Sequence, residues 1–430
     1  GTAGSGGTIQ NTSGADGAIA GNGVYLSSAQ NVSLAFMAIN DHGNNGLRGT
    51  GVVGLTLNKV RFTGANGNNL SGPFYESAVN LDAVTGSASV TGSFFSGGMS
   101  DNFRLSNTTG TLNRITFTSD TFAVQAGNPT TRLLNDALFV QGLGTATVNA
   151  TVQSSVFQAA GGDLFQYDLG GTAVGDLVLN GSAFSNSHSN VAAGGGGVTI
   201  SAGGGGSPTF TYAIGSNTFR DALGTALVVT KTSGTGTATG SITGNTVGVT
   251  GVNNSGSAQG SAFDIGQVGG GTHTVTITGN TLRQWSNYGI FLSPGNNAVA
   301  NGGQGQFKLT IQNNLITEPS TTETSGAFPG SAVHLANGTN SGDNVQTCLT
   351  LGGTSAGQPN TVNGTGSGGQ PDIRLRARFS ADVFLPGYAG GEFDTAAVNA
   401  FVTARNAVAP VVTSATNSAD GAGFNGTCPF

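Results

Sequence analysis

The sequence has little charge, proline, cysteine or methionine. Asp, Glu, Lys and Arg make up 8% of its 430 residues, and it has 11 Pro, 2 Met, 2 Cys and 1 Trp. The two cysteines form no CxxC pair, so zinc-ribbon and thioredoxin-type chemistry have no support. A net charge of −6 argues against a nucleic-acid-binding protein. The sequence contains no stretch of 18 apolar residues, so it predicts no membrane-spanning segment.

Glycine and phenylalanine are abundant instead, with 75 and 24 residues. Glycine does not recur at every third position, which excludes collagen. The phenylalanines and aliphatic residues fall at regular intervals and supply apolar area to offset chain entropy, which argues against disorder. Short alternating segments such as Leu177–Asn180 are typical of strands, whereas helical periodicity is nearly absent.

One phrase recurs along the chain: an apolar strand, a small polar residue, one spacer and an apolar anchor. Ile242–Val247 and Ile277–Leu282 both read Ile-Thr-Gly-Asn-Thr followed by Val or Leu. The anchors, 27 to 35 residues apart, are Phe62, Phe95, Phe122, Phe157, Phe184, Phe219, Val247, Leu282 and Ile316. A second anchor series lies between them at Leu81, Leu105, Val140, Tyr167, Ile200, Val229, Ile265, Leu292 and Leu335. We therefore predict two strand segments in each repeat.

Stacked repeats of this kind predict an all-β fold, a right-handed parallel β-helix in which each coil pairs with the next. About ten coils at a strand spacing of about 4.8 Å would form a rod roughly 50 Å long. The residue two positions before the first anchor is small and polar in eight of nine repeats. We predict that this column forms a hydrogen-bonded ladder at a tight bend.

The end of the chain differs from its body. We predict residues 1–351 as the β-helix and residues 352–430 as a C-terminal cap, because an uncapped solenoid exposes open strand edges. Asp394 precedes a run with apolar residues on one face, so the cap is expected to contain one short helix from Asp394 to Asn406. An amphipathic strand places three arginines on one face, and we expect them to pair with nearby acids: Arg374, Arg376 and Arg378 with Asp372, Asp382 or Glu392.

The Thr-Gly-Asn-Thr-hydrophobic phrases resemble those of the bacterial right-handed parallel β-helix repeat proteins, and the resemblance covers about Gly7 to Leu351. That group includes secreted and surface proteins, autotransporter-like adhesins and polysaccharide-degrading enzymes. The resemblance implies the fold, and it implies an extracellular or cell-surface location. Function has to be argued from a site, because one fold hosts many functions.

Two cysteines lie near the end of the chain, Cys348 in the last coil and Cys428 in the terminal tail. A disulfide between them would imply an oxidising compartment, and the alternative is two buried free thiols. Gly1 opens directly into Gly/Ser/Thr-rich sequence without a signal peptide. We therefore expect either a form processed from a longer precursor or a fragment of a longer chain.

Three consecutive repeats place aspartates in one column, at Asp101, Asp136 and Asp163. Stacked carboxylates repel one another, and Ca²⁺ binding or a raised pKa suited to general-acid catalysis would relieve this. Ser, Thr and Gly occupy the column elsewhere, which favours a turn role. Trp285 and Tyr288 could stack on a sugar or cover a coil corner.

We predict an extracellular structural or adhesive rod whose partners are further copies of itself, joined end to end or laterally, or a surface polysaccharide. The alternative is a carbohydrate-active β-helix enzyme, either a lyase or a glycosidase. No convincing catalytic constellation is present, so we predict no enzyme and no cofactor apart from a weak Ca²⁺ candidate. Outward threonine columns such as Thr274 and Thr276 leave ice or mineral binding as a third hypothesis.

Overall fold

In a computed structural model, the structure describes residues 1–70, 75–124, 133–186, 195–295, 304–321, 330–363, 371–406, 413–417 and 422–430. The chain folds as a right-handed parallel β-helix, which confirms the predicted fold class. It divides into two compact units, Gly1–Thr199 and Ile200–Phe430. We call them unit 1 and unit 2.

Unit 1 consists of strands in a repeating order of three, and every third strand belongs to the same parallel sheet. The strands are β1 (Thr8–Gln10), β2 (Val24–Ser27), β3 (Gln30–Ala35), β4 (Ala38–His42), β5 (Leu47–Thr50), β6 (Val53–Asn58), β7 (Arg61–Asn66), β8 (Val79–Asp82), β9 (Thr85–Thr91), β10 (Phe94–Phe95), β11 (Phe103–Asn107), β12 (Thr111–Thr118), β13 (Thr121–Phe122), β14 (Leu138–Gly142), β15 (Thr147–Gln153), β16 (Val156–Phe157), β17 (Phe165–Gly170), β18 (Val174–Asn180) and β19 (Ala183–Ser185). The sheet of β1, β4 and their successors is called the first sheet, that of β2 and β5 the second, and that of β3 and β6 the third.

Unit 2 repeats the same order, and its first strand begins just before the division between the units. Its elements are β20 (Val198–Gly203), β21 (Thr209–Gly215), β22 (Thr218–Arg220), β23 (Leu227–Lys231), β24 (Thr237–Thr243), β25 (Thr246–Val247), β26 (Phe263–Val268), β27 (Gly271–Thr278), β28 (Thr281–Leu282), β29 (Ile290–Gly295), β30 (Gly305–Gln312), β31 (Leu315–Ile316), β32 (Val333–Asn337), β33 (Gln346–Leu351), β34 (Thr361–Val362), β35 (Ile373–Ala377), β36 (Val383–Phe384), α1 (Thr395–Asn406), β37 (Thr413–Asn417) and β38 (Phe424–Asn425). Within this unit, β22, β23 and β24 belong to the first, second and third sheets.

Each coil has three strands, so the prediction of two strand segments per repeat is wrong. The recurring phrase itself is divided by a sharp bend: β27 ends at Thr278 in the third sheet, and β28 begins at Thr281 in the first sheet. The residue that makes the bend has a positive φ, for example 68° at Gly279. Glycine adopts this left-handed conformation without a steric penalty, and Ser119 adopts it at the equivalent position of unit 1 with a φ of 56°.

The predicted anchor series are both in register inside the coils. In unit 1 the first-sheet anchors align directly and their rings stack, with centroid separations of 5.0 Å for Phe95 and Phe122 and 4.6 Å for Phe122 and Phe157. In unit 2 the second-sheet anchors Ile265 and Leu292 align in the same way and are fully buried. The apolar stacks therefore form the core.

The polar column forms the predicted ladder at the bend. In unit 2 the backbone N–H of Asn245 donates to Oδ1 of Asn280, and the N–H of Asn280 donates to Oδ1 of Asn314, at 2.9 and 3.0 Å. In unit 1 the N–H of Ser93 donates to Oδ1 of Asp120, whose own N–H donates to Oγ of Ser155. Each side chain thus satisfies a backbone group of a neighbouring coil that no sheet bond reaches.

The segment predicted as a cap, residues 352–430, carries the predicted helix, which runs from Thr395 to Asn406. Asp394 caps it by accepting a hydrogen bond from the N–H of Ala397. The same segment contains β34 to β38, which pair in parallel within the three sheets of unit 2. The predicted disulfide between Cys348 and Cys428 is present, with 5.6 Å between the Cα atoms.

Candidate functional site

The structure brings the three predicted aspartates together in unit 1, at the turns that precede β11, β14 and β17. Oδ1 of Asp101 accepts hydrogen bonds from the backbone N–H of Asp136 and from the side chain of Asn135, at 3.1 and 2.8 Å. Oδ1 of Asp136 accepts from the N–H of Asp163 at 2.7 Å. The column therefore forms a turn ladder, which was the alternative that the sequence favoured.

Burial raises the pKa of all three carboxyl groups above the usual value of an aspartate. For Asp136 the negative charges of Asp101 and Asp163 add to this effect. For Asp101 the nearby guanidinium of Arg104, at 3.7 Å, opposes it. Of the three, Asp101 and Asp136 are almost completely inaccessible.

Asp136 has a free oxygen beside a cleft. Its Oδ2 atom is buried and has no hydrogen-bond partner among the residues that the structure describes. A cleft of about 490 Å³ opens next to it on the outer face of the second sheet, and its lining includes Tyr75, Arg104, Phe139, Gln141 and Gln166. A buried carboxyl oxygen without a partner is costly for stability, and Asp136 is among the residues that line the cleft.

The cleft is built around a stacked cation. The guanidinium of Arg104 lies between two rings, 4.1 Å from the centroid of Tyr75 and 4.3 Å from that of Phe139. Arg104 and Phe139 are neighbours because β11 and β14 pair in register, and Gln166 of β17 follows Phe139 in the same column. Tyr75 comes from the loop before β8. The stacking fixes flat side chains at the mouth of the cleft.

A second carboxyl group lies near Asp136. Asp168 projects from the outer face of β17, where Oδ2 accepts a hydrogen bond from Gln166 at 2.7 Å and Oδ1 has no partner among the described residues. Burial raises the pKa of Asp168 to about 6, and the charge of Asp163 adds to this effect. Asp168 was not predicted from the sequence, because it belongs to no repeated column of acids.

A smaller cleft, of about 230 Å³, adjoins the first and shares Tyr75. It is lined by Tyr25, Asn45 and Arg48 among others. Tyr25 and Arg48 are in register on the outer face of the second sheet, and Arg48 forms an ion pair with Asp82 of the next strand. Polar and aromatic side chains thus continue along this face of unit 1.

The calcium hypothesis stays a prediction. Oδ1 of Asp101 and Oδ1 of Asp136 are engaged by backbone N–H groups of the ladder. Among the described residues, no group of three or more His, Cys, Asp or Glu is arranged to hold a metal ion.

In unit 2 the predicted sugar contact has to be corrected at Trp285, whereas Tyr288 stays a prediction. Trp285 is fully buried, so its ring has no free face for a sugar, and we do not keep it in a candidate site. Tyr288 is only partly buried, and it stacks on Phe291 with 5.0 Å between ring centroids. The bulky indole instead fills a coil corner, the alternative that the sequence left open.

No family model, curated protein or solved structure matches this chain. Function therefore has to be inferred from the geometry of the clefts. In the described part of the chain no helix is long and apolar enough to cross a membrane.

Four of the cleft residues could have been found by extending the register of the second anchor series, namely Arg104, Phe139, Gln141 and Gln166. Arg104 and Phe139 each directly precede an anchor, Leu105 and Val140, so they point outward in adjacent strands. Tyr75 could not have been found in this way. It lies in a variable loop, and only the fold places its ring on Arg104.

Proposed function

We propose that the protein is an extracellular β-helix that binds a surface polysaccharide, in an adhesive or structural role, through the larger cleft of unit 1. The observation that supports this most is the stacked arrangement of Tyr75, Arg104 and Phe139 next to the free oxygen of Asp136. The ring of Tyr75, which is 37% exposed, offers an apolar surface to a sugar ring, while amide and carboxyl groups orient its hydroxyls.

The composition of the cleft agrees with a neutral or weakly charged ligand. Arg104 is the only basic residue among the described residues that line the cleft. Its positive charge already interacts with Asp101 and with the rings of Tyr75 and Phe139. Gln141 and Gln166 add donors and acceptors, because each amide can do both. The disulfide at Cys348 agrees with an oxidising, extracellular compartment.

Binding to a panel of immobilised polysaccharides tests this proposal. Tyr75→Ala and Gln166→Ala should weaken binding by roughly tenfold each, the effect of losing a stacking surface or a hydrogen bond at a desolvated site. Val174→Ala changes an exposed apolar residue of the same unit and serves as the control. The proposal fails if no polysaccharide binds, or if Tyr75→Ala and Val174→Ala bind equally.

A second candidate function is cleavage of the bound polysaccharide. Asp136 and Asp168 both have a raised pKa and one carboxyl oxygen without a partner in the described residues. Paired carboxyl groups with separate protonation states are the usual catalytic equipment of glycosidases. Asp136→Asn would then abolish release of reducing ends even at polysaccharide concentrations that saturate the cleft. Absence of any release by the unchanged protein would remove this candidate.

We also propose that the protein associates with further copies of itself. Strands β2 and β3 are at the end of their sheets and carry partly exposed apolar residues, among them Leu26 and Val32. An unpaired strand edge with such residues is a template for pairing with another copy. Sedimentation at increasing concentration should show a shift to larger species, and a constant monomer mass would exclude end-to-end association.

A further inference from the structure

The outer face of the second sheet in unit 2 carries a second polar column, distinct from the cleft of unit 1. Strand register aligns Asp264, Phe291, His334 and Arg374 on β26, β29, β32 and β35. All four side chains point away from the apolar core, because their neighbours in each strand are the buried anchors. His334 and Arg374 thus form the basic end of the column, and the aromatic ring of Phe291 lies next to them.

His334 is the most constrained member of this column. It is only 3% exposed, yet neither ring nitrogen has a hydrogen-bond partner among the residues described. Its ring packs against Tyr288 and Phe291, at 4.6 and 5.5 Å between centroids. Burial, together with the positive charges of the neighbouring arginines, lowers the pKa of His334 to about 3, so the imidazole is neutral at pH 7 and keeps one N–H to donate.

Three arginines extend from His334 along β35 and its continuation. Arg374, Arg376 and Arg378 alternate with buried residues and share the outer face. The expected pairing with acids is wrong for two of them, because no ion pair within the described part of the chain includes Arg376 or Arg378. The pKa of Arg376 is lowered by partial burial and by the charges of Arg378 and Arg374.

Like charges at this spacing repel one another, and a ligand with several negative charges would remove the repulsion. Alternate residues of a strand are about 6.6 Å apart, so the arginines form a row rather than a point. A row of arginines matches a polymer with a negatively charged group on successive units better than it matches a single small anion. Arginine binds carboxylate and sulfate groups with paired N–H donors.

We propose that Arg376, Arg378 and His334 bind the oxyanion groups of an acidic polysaccharide, with Tyr288 and Phe291 as the stacking surface for its sugar rings. The charged groups are sulfate esters or carboxylates, which offer the same kind of acceptor to arginine. This site is independent of the unit 1 cleft, since none of its residues belongs to that cleft.

Isothermal titration of the whole chain tests the inference with four probes: dextran sulfate, an oligouronate, uncharged dextran and single-stranded DNA. We expect dextran sulfate, the oligouronate or both to bind and uncharged dextran not to bind. Binding of only one glycan identifies its sulfate or its carboxylate as the group recognised. Binding of uncharged dextran at the same affinity overturns the inference, as does arginine-dependent binding of DNA alone.

Variants locate the site. The double change Arg376→Gln and Arg378→Gln should weaken binding of the acidic glycan by at least roughly tenfold, the effect of losing charge-assisted hydrogen bonds. Arg220→Gln removes the same charge from an exposed position on β22 of the same unit and should change affinity by less than about twofold. Equal effects of the two variants would show nonspecific charge attraction and overturn the inference.

Two further variants separate binding from folding. Arg376→Lys keeps the charge but loses the paired donors, so its affinity should be intermediate. His334→Phe keeps an aromatic ring against Tyr288 and removes the nitrogen atoms, and it should weaken binding without lowering the unfolding temperature. If His334→Phe binds as tightly as the unchanged protein, the role of His334 is refuted.

Discussion

At the residue scale, the amide ladder at the bend carries much of the specificity of the fold. Asn280 alone accepts hydrogen bonds from the backbone and side chain of Asn245 and donates to the carbonyl of Ile242 and to Oδ1 of Asn314. Asn280→Ala would leave several of these buried groups without partners. We expect it to lower the free energy of unfolding by about 2–4 kcal/mol, measured by urea denaturation.

Two comparison variants test whether the ladder itself is responsible. Asn280→Ser should cost less than Asn280→Ala, because serine occupies this column at Ser93 and Ser155 and still accepts from a neighbouring N–H. Thr239→Ala, at an exposed position on β24, should change stability by less than about 0.5 kcal/mol. Equal losses for Asn280→Ser and Asn280→Ala would contradict this explanation.

At the scale of the element, the sequence predicted which residues stack but not how the strands divide. Anchors such as Phe122 and Leu292 were identified because burial on one side of a strand leaves a regular apolar pattern. The sequence predicted a tight bend at the polar column, but not that the bend divides each phrase between two strands, because the left-handed residue is Gly279 in one coil and Lys59 in another. These two residues adopt the same backbone conformation, but their side chains have no chemistry in common that a sequence pattern could reveal.

The residues of the candidate sites could likewise be predicted where they lie on strands, and could not where they lie on loops. Outward residues such as Arg104 could be predicted from register, because alternation in a strand fixes which face they occupy. Contacts from loops could not, and Tyr75 reaches the cleft only through the path of its loop. Burial of Trp285 at a coil corner was one of the two alternatives that the sequence left open, and its full burial decides between them.

The disulfide links two elements whose attachment can be tested. Cys348 belongs to β33, and Cys428 follows the short strand β38, 80 residues later. In the chain-entropy model, a closed loop of this length contributes about 4–5 kcal/mol. The double change Cys348→Ala and Cys428→Ala should therefore increase hydrogen exchange in residues 422–430 and lower the unfolding midpoint.

Unit 1 provides an internal control for the disulfide, because it contains no cysteine. Exchange in β12 and β15 should be unchanged by the double substitution or by a reductant. Faster exchange there, at the same level as in β38, would show that the bond stabilises the chain through something other than the tail.

At the scale of the whole molecule, a chain with little charge nevertheless buries several ionisable groups. Burial raises the pKa of Asp120 to about 7 and that of Asp264 to about 6. Burial also lowers the pKa of His273 to about 4. These groups act in opposite directions, because a buried acid destabilises the fold as pH rises and a buried histidine destabilises it as pH falls.

The contribution of a single acid can be isolated by substitution, and Asp120 is the best position. Its folded pKa of about 7 exceeds the ordinary value of 3.8, so between these values the unfolded chain loses a proton that the folded chain keeps. The contribution of Asp120 to the free energy of unfolding is therefore fully present below about pH 4 and is lost as the pH rises to about 7. Asn fits the position, because the equivalent ladder residues of unit 2 include Asn245 and Asn280.

Asp120→Asn should match the unchanged protein in stability at pH 4 and exceed it at pH 8. The full shift would correspond to about 4 kcal/mol, and because Asp120 is not completely isolated from water, we expect roughly 2–4 kcal/mol. Urea denaturation at both pH values measures the difference, with Asp16→Asn as the exposed control. The histidine contributions are common to all three proteins and cancel in the comparison. A stability difference that is the same at pH 4 and pH 8 would show that Asp120 stays ionised in the fold, and that its hydrogen bonds in the ladder outweigh its burial.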